Sequence, residues 1–241
     1  MGNVAIIVRR ELAAYLRTPS GYMIAGAILL VQGLLFNTRG LGGGAKLSAQ
    51  VLADFLRDSS GTTTVAAVLL SMRLFAEERQ SGTLTLLYSS PVRESEIVLG
   101  KFLSAFAVLA AITLMSLYLP ALIFINGKVS LGHIAGGYFG LLCLGAATLA
   151  LGVLGSALGR NQLVAGVISA VLVFVLFLAW ALSDVVDPPL GTLIAHFSLY
   201  EQHFFPFMRG LVQLSDVVFY ASVVYLALFS ATRVVQSQRW Q

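Results

Sequence analysis

Chemically reactive side chains are sparse in this chain, and the histidines are the first to consider. His196 and His203, with Glu201 between them, are residue types that can bind zinc. The two histidines are seven positions apart in the sequence, which corresponds to about 10 Å along a helix and is too far for a compact tetrahedral site. We therefore predict packing of these side chains at a membrane interface rather than metal binding.

Motifs for catalysis and nucleotide binding do not occur in the sequence. The chain contains neither H-E-x-x-H of zinc proteases nor G-x-S-x-G of serine hydrolases, and Cys143 lies in an apolar stretch without a charged neighbour. G-x-x-x-x-G-K-[ST], the loop that surrounds nucleotide phosphates, does not occur either. We therefore expect no catalytic residue, cofactor or metal ion in this chain.

The densest group of charges follows the second apolar stretch. Glu77, Glu78 and Arg79 stand together there, and Gly82 follows as a helix-breaking residue. Carboxylate and guanidinium groups at this density can form ion pairs with a complementary protein surface, where they set specificity and association rate. The alternative interpretation is the solvated loop that any membrane protein needs.

A short amphipathic helix is predicted after these charges. Leu84, Leu87 and Tyr88 recur there at helical spacing. Ser90 and Pro91 are the residue types of a helix N-cap and a first helical position, so a longer helix is expected to begin near Pro91. The loop would then present acidic groups from a short surface element with a turn at each end.

The elements that position this loop are predicted to cross a membrane. The chain is 58% hydrophobic and 11% charged, whereas a soluble domain carries about 25% charged residues. The apolar runs are continuous rather than alternating, which indicates helices and excludes barrel strands. One cysteine excludes a disulfide framework, and a net charge of +4 without a dense basic block gives no reason to expect nucleic acid as a partner.

Six stretches are apolar and long enough to cross a bilayer core of about 30 Å. They cover about residues 20–38, 59–76, 97–126, 132–158, 162–184 and 214–234. Residues 1–19 are predicted to form an interfacial helix, 77–96 a cytoplasmic coupling loop and 185–213 an outer interfacial segment. The predicted fold is therefore a single all-α integral membrane domain with six transmembrane helices.

The distribution of basic residues predicts the orientation. Six crossings place both termini on one side, together with the even-numbered loops. That side holds ten of the 15 basic residues, namely Arg9, Arg10, Arg17, Arg73, Arg79, Arg93, Lys101, Arg160, Arg233 and Arg239. The opposite side holds Arg39, Lys46, Arg57, Lys128 and Arg209. Because positive loops stay inside, we predict cytoplasmic termini in the cytoplasmic (inner) membrane.

The segment before the first span is predicted to be an amphipathic helix on the membrane surface. Its apolar side chains share one face at 100° per residue, namely Val4, Val8, Leu12 and Tyr15. The arginines Arg9, Arg10 and Arg17 would then face anionic lipid headgroups. The alternative is a short basic segment without regular structure.

Glycines in the fourth predicted span recur at four-residue spacing. Gly132, Gly136 and Gly140 would let another helix approach closely. Such a stripe serves either as a dimer face or in packing within one chain, and we favour packing within the chain because glycine is common in membrane helices.

Aromatic residues precede the last predicted span. Phe197, Tyr200 and Phe204 stand at positions i, i+3 and i+7, which predicts one apolar helix face. Aromatic side chains are enriched at membrane interfaces, so we expect this face to lie in the outer interface.

The run from Phe75 to Lys101 resembles a known signature. It reads F-A-E-E-R-Q-S-G-T-L-T-L-L-Y-S-S-P-V-R-E-S-E-I-V-L-G-K. This order of a charged cluster, G-T, leucines, P-V and G-K resembles that of ABC-2-type transporter permeases. Within them the chain is most similar to the permeases associated with gliding motility and with nitrous-oxide maturation, and the similarity extends over its whole length and span order.

The resemblance implies a coupling role for the charged loop. It implies contact with a separate cytoplasmic ABC ATPase subunit that binds ATP and Mg²⁺, with the N-terminal helix packed beside the loop. The residues so implicated are Glu77, Glu78, Arg79, Gly82, Thr83, Leu84, Leu87 and Pro91. Many relatives have glutamate where this chain has Thr85, so we expect Glu77 and Glu78 to supply the carboxylates that meet the ATPase.

The assembly is predicted from the resemblance and from the few polar faces of the six helices, and two alternative functions are open. We expect a second permease chain, identical or related, and an auxiliary membrane protein with a large domain outside the cytoplasm. The complex would couple ATP hydrolysis to export or to mechanical transmission across the membrane. The alternative is a non-transporting scaffold that relays ATPase motion to the auxiliary protein.

Overall fold

The protein is an all-helical bundle in the part of the chain that the structure describes. The computed structural model describes residues 2–41, 47–82, 92–127, 129–183, 185–187 and 190–238. The helices in chain order are α1 (Asn3–Arg17), α2 (Pro19–Leu35), α3 (Ser48–Ser71), α4 (Ala76–Gln80), α5 (Glu94–Met115), α6 (Tyr118–Asn126), α7 (Leu131–Leu158), α8 (Gln162–Phe177), α9 (Ala179–Ser183), α10 (Leu190–His196), α11 (Phe205–Met208) and α12 (Leu214–Gln238). A π-helical turn, Phe36–Leu41, extends α2.

A proline separates the N-terminal helix from the first long helix. Thr18 has an extended backbone with φ −94° and ψ 138°, as expected for a residue that precedes proline. Pro19 then occupies the first position of α2, where its missing N–H costs nothing. The residues Asn3–Arg17 thus form a separate helix with a sharp end.

Four helical stretches are long and apolar enough to cross a membrane. They are Gly21–Gly40, Glu94–Ile125, Leu131–Leu158 and Leu214–Gln238. The helix α8 is also apolar, but its 16 residues span only about 24 Å. The chain is therefore a helical multi-pass membrane protein, and six crossings stay a prediction.

The helix α3 differs most from the sequence-based boundaries. It begins at Ser48 and ends at Ser71, whereas the predicted span began at residue 59. Three charged residues, Asp54, Arg57 and Asp58, lie in its first half and made that half look like a loop. Arg57 is exposed and Asp54 is partly exposed, and Asp58, whose side chain is only 12% exposed, forms an ion pair with Arg39 at 2.8 Å. The opposite side of the same turns is buried, so the helix continues.

The helix α7 lies at the centre of the bundle. In its most apolar window 72% of residues are buried, compared with 22–39% in the other three long stretches. It packs against α3, α5, α8 and α12. A methyl group on Gly140 would lie 2.5 Å from Phe207 Cβ, and one on Gly136 would lie 3.3 Å from the backbone of Gly210. Both glycines therefore serve packing inside the chain, while Gly132 is exposed.

The aromatic segment before α12 packs inward. Tyr200 stacks on Phe177 and Phe204, with ring centroids 5.4 and 5.5 Å apart, and Phe204 is fully buried. Only Phe197 of the three predicted interfacial aromatics is exposed. The prediction of one aromatic interface face is wrong, because α10 ends at His196 and residues 197–204 lie in turns rather than on a helix.

Candidate functional site

The helix α4 follows α3 after a short turn and is anchored by a serine of the central helix. The backbone N–H groups of Phe75 and Ala76 donate to Ser156 Oγ at 3.0 and 3.3 Å. The Ser156 hydroxyl donates in turn to the carbonyl of Met72 at 3.2 Å. One buried hydroxyl therefore satisfies N–H groups at the start of α4, which an isolated helix end leaves unpaired.

Arg79 fixes the other end of α4 to the bundle. Its guanidinium donates to the carbonyl of Gly159 at 2.7 Å and to the carbonyl of Ala157 at 3.0 Å. It also donates to the side-chain oxygen of Gln238 in α12. Unpaired carbonyls at a helix C-terminus attract cations. Arg79 therefore caps α7 and ties α4 to two membrane helices, and in this position it faces the protein interior.

Glu78 belongs to a partly buried ionic cluster of four side chains, Arg10, Glu11, Glu78 and Lys101, which join α1, α4 and α5. Lys101 Nζ lies 3.2 Å from Glu11 Oε1 and 2.9 Å from Glu78 Oε1. Arg10 Nη2 lies 2.7 Å from Glu11 Oε1 and 3.1 Å from Glu78 Oε1. The Lys101 side chain is only 1% exposed. Two cations and two carboxylates balance, as burial of charge requires.

The electrostatics of this ionic cluster favour ionised Glu11. Burial opposes the charged form of the Glu11 carboxyl, but the ammonium of Lys101 and the guanidinium of Arg10 outweigh burial, so the pKa of Glu11 is lowered. The Lys101 ammonium also lies over the ring of Phe75, 5.4 Å from its centroid. Glu11 is therefore ionised at neutral pH.

Glu77 is the acidic side chain of α4 that remains on the outside. Its side chain is 49% exposed and pairs with Arg73 at 2.9 Å. The Arg73 guanidinium lies 5.7 Å from the ring centroid of Tyr15 in α1. Burial raises the pKa of the Tyr15 hydroxyl, which donates to the carbonyl of Leu70 at 3.0 Å. Glu77 thus stands on a surface that α1 and α3 support.

A groove of about 760 Å³ opens between α1, α4 and the start of α5. The charged residues described above line it together with apolar ones, namely Ile7, Ala14, Leu74, Val92 and Ile97. Gly82 ends the charged segment with a φ of +70°, which glycine adopts without steric cost. Such a groove, lined by both charged and apolar side chains, has the composition of a protein-docking surface.

A comparison with protein families matches most of the chain. Residues 23–236 match the model described as ABC-2 family transporter protein. The chain belongs to the ABC-2 transporter family. As a member, it is a membrane permease subunit of an ABC transporter and works with an ABC ATPase subunit. The comparison with curated proteins gave no match.

Proteins of the ABC-2 permease family are membrane components and are not themselves catalytic. The expected subgroup, related to gliding-motility and nitrous-oxide permeases, stays a prediction. Of the residues that the resemblance implicated, Thr83, Leu84, Leu87 and Pro91 lie outside the described residues. Glu77, Glu78, Arg79 and Gly82 lie close together at one end of the permease.

Sequence reasoning missed the partners that hold the charged segment. Glu11, Lys101, Ser156 and Gln238 come from four different helices and were not predicted to meet. Lys101 gave a usable signal, since a lysine within an otherwise apolar predicted span is costly and usually paired. Ser156 gave none, because serine is common in membrane helices.

The histidines of this permease lie at the opposite end. His203 Nδ1 lies 2.9 Å from Asp216 Oδ1, and its Nε2 lies 3.2 Å from the carbonyl oxygen of His196. The imidazole of His196 instead meets the carbonyl of Thr192 at 2.7 Å. Within the described ranges no group of histidine, cysteine and carboxylate side chains converges on a metal site.

Proposed function

We propose that α4 is the coupling element of this permease and that a separate ATPase subunit docks on the groove between α1, α4 and α5. One observation carries the proposal. The helix α4 is fastened to the bundle on two sides, through Glu78 and through Arg79, while Glu77 stays exposed. A coupling element needs both an attachment to the membrane helices and a surface for its partner.

The attachments make α4 a stiff connection. Hydrogen bonds to charged groups contribute about 1.5–3 kcal/mol each, and Arg79 makes such bonds to Ala157, Gly159 and Gln238. The ionic cluster adds the connection to α1 and α5. A force on α4 would therefore reach α7 and α12 through Arg79, and α1 and α5 through Glu78.

The three adjacent charges would have different roles. Glu77 would meet a basic side chain of the ATPase. Glu78 and Arg79 would hold α4 in place, since both are already bonded inside the chain. In this proposal only Glu77 contacts the ATPase, whereas the sequence predicted that both Glu77 and Glu78 would do so.

The wider assembly follows from this proposal. ATP and Mg²⁺ would be bound by the ATPase on the cytoplasmic side of the inner membrane, where both termini of the permease would also lie. A second permease chain would complete the membrane part. Closure of the ATPases would push α4 and rearrange the helices, which would export a substrate or transmit motion to an auxiliary membrane protein with a large extracytoplasmic domain.

Charge reversal at Glu77 tests the proposal. The ABC ATPase that co-purifies with the wild-type permease should be recovered about tenfold less with Glu77→Lys, because a new like-charge contact replaces an attraction. Glu201→Lys is the matched control, since Glu201 is an exposed glutamate at the opposite end of the bundle. The recovered ATPase and its turnover rate are the measurements.

Two outcomes would contradict the coupling assignment. In one, Glu77→Lys retains the ATPase with wild-type turnover. In the other, Glu201→Lys releases the ATPase as completely as Glu77→Lys does, which would place the docking surface elsewhere or reflect damage to the fold.

A further inference from the structure

The helix α1 has two faces, and only one of them contacts the groove described above. Ile7 and Tyr15 are buried toward the bundle, and Glu11 joins the ionic cluster on the same side. The other face carries two adjoining depressions, which share Arg9 as a lining residue. Neither depression contributes to the proposed coupling role of the permease.

The first depression is an apolar groove of about 720 Å³ between α1 and Leu103 of α5. Val8, Leu12 and Leu16 line it from α1. Leu103 belongs to the membrane-crossing stretch Glu94–Ile125 and is 42% exposed. The groove is therefore continuous with the surface that this stretch offers to lipid tails, and apolar side chains alone account for most of its lining.

The second depression, of about 500 Å³, is basic. It is lined by Ile6, by the small side chains Ala5, Ala13 and Ala14, and by Arg9, Arg10 and Arg17. Arg10 is bonded to the ionic cluster. Arg9 and Arg17 are exposed, and neither forms an ion pair within the described part of the chain.

The spacing of the two exposed arginines suits a single anionic group. Arg9, Ala13 and Arg17 follow each other at four-residue intervals and share one strip of α1. The two arginines are about 12 Å apart along the axis, and their long side chains can converge over the intervening alanine. No acidic side chain lines either depression among the residues that the structure describes.

We propose that α1 and α5 form a binding site for one anionic phospholipid. Its phosphate lies over Ala13 between Arg9 and Arg17, and one acyl chain lies in the apolar groove against Leu12, Leu16 and Leu103. Guanidinium groups bind phosphate through paired N–H donors. A zwitterionic lipid binds less well, because its own cation neutralises the phosphate. The site stands apart from the proposed coupling role, since its occupancy is measured without an ATPase.

Native mass spectrometry of the full-length permease provides the test. The chain is incubated with mixed micelles of phosphatidylglycerol or phosphatidylcholine, and the lipid retained per chain is counted. Wild type should retain one phosphatidylglycerol in preference to phosphatidylcholine. Arg9→Gln combined with Arg17→Gln should lower that preference about 30-fold, at about 1 kcal/mol for each basic side chain. Ala13→Phe, which places a bulky side chain between the two arginines and keeps the charge, should also lower it.

The controls separate a site from diffuse attraction. Arg160→Gln combined with Arg233→Gln removes the same charge from exposed positions outside both depressions and should leave the preference unchanged. An equal loss in this control would overturn the proposal, as would a wild-type chain with no preference. Glycerol phosphate at millimolar concentration should not displace the lipid, and displacement would show an anion site that needs no acyl chain.

Discussion

Glu77, Glu78 and Arg79 are consecutive, yet each side chain has a different environment. Successive residues of a helix are rotated by about 100°, so three neighbours point in three directions. Glu77 points outward and pairs with Arg73. Glu78 points toward Lys101, and Arg79 points toward the end of α7. The rotation therefore assigns one exposed charge and two internal connections to a segment that reads as uniformly charged.

Glu11 makes the stability of the ionic cluster dependent on pH. Its pKa is lowered in the folded protein, so the unfolded chain binds a proton more readily. The contribution of ionised Glu11 to the stability of the folded protein is complete above pH 4.5, the ordinary pKa of a glutamate. It is lost as the pH falls below that value toward the pKa of Glu11 in the folded protein. The melting temperature of the detergent-purified permease should therefore decrease when the pH drops below about 4.5. Glu11→Gln should flatten that part of the plot of melting temperature against pH.

The comparison with Glu94→Gln gives the pH prediction its control. Glu94 is also a glutamate at this end of the bundle and lies outside the ionic cluster. If the melting curves of wild type and Glu11→Gln decline in parallel with acid, other carboxylates govern the acid transition and the assignment to Glu11 is incorrect.

At the scale of elements, α4 is too short to be stable by itself. A helix of five residues is far below the length at which isolated helices persist in water. Its stability comes from Ser156 at its start and Arg79 at its end. Arg79→Ala should therefore accelerate amide hydrogen exchange in residues 76–80 by ten- to a hundredfold, because at least one bond of about 1.5–3 kcal/mol is lost.

Gln80→Ala is the neighbouring control for Arg79→Ala, since Gln80 is exposed. It should leave exchange in α4 almost unchanged, and the middle of α7 should stay protected in both variants. Unchanged exchange of α4 in Arg79→Ala would show that the bonds to α7 and α12 do not hold it.

The glycines of α7 make a second prediction at this scale. Gly140→Ala should destabilise the permease by about 1–3 kcal/mol, as overpacking of a core does, because the new methyl group meets Phe207 at 2.5 Å. Gly132→Ala has no close neighbour in another element and should be neutral. Thermal unfolding of the two variants measures the difference. A change in oligomeric state with Gly132→Ala would instead indicate a dimer face along this stripe.

At the scale of the whole molecule, two functions have to be distinguished: export of a substrate, and transmission of ATPase motion without transport of any substrate. A complex of permease and ATPase in sealed vesicles should move a lipid, polysaccharide or peptide cargo when ATP is supplied, and Glu77→Lys should lose this transport. ATP hydrolysis that depends on the permease without movement of any such cargo would favour the scaffold function. The measurement is the amount of labelled cargo transferred per ATP hydrolysed.

The predictable part of the fold follows from composition and local pattern. Continuous apolar runs of sufficient length predicted membrane helices, since a backbone in lipid must bond internally. Four of the six predicted spans correspond to helices long and apolar enough to cross. The extent of α3 was not predictable, because Asp54, Arg57 and Asp58 are polar by type, and the pairing of Asp58 with Arg39 is a tertiary contact. The prediction for the aromatic segment was wrong because helical periodicity applies only to a helix, and residues 197–204 lie in turns.

The sequence by itself determined that this protein is a helical membrane protein and where along the chain its charges concentrate. Hydropathy and charge are properties of single residues, so they can be read without knowing which residues meet. Only the tertiary structure decided that Glu78 pairs with Lys101, that Arg79 caps α7 and that Glu77 remains exposed. The packing of α1, α5, α7 and α12 places these partners around α4, and residues so distant in the chain leave no common local pattern.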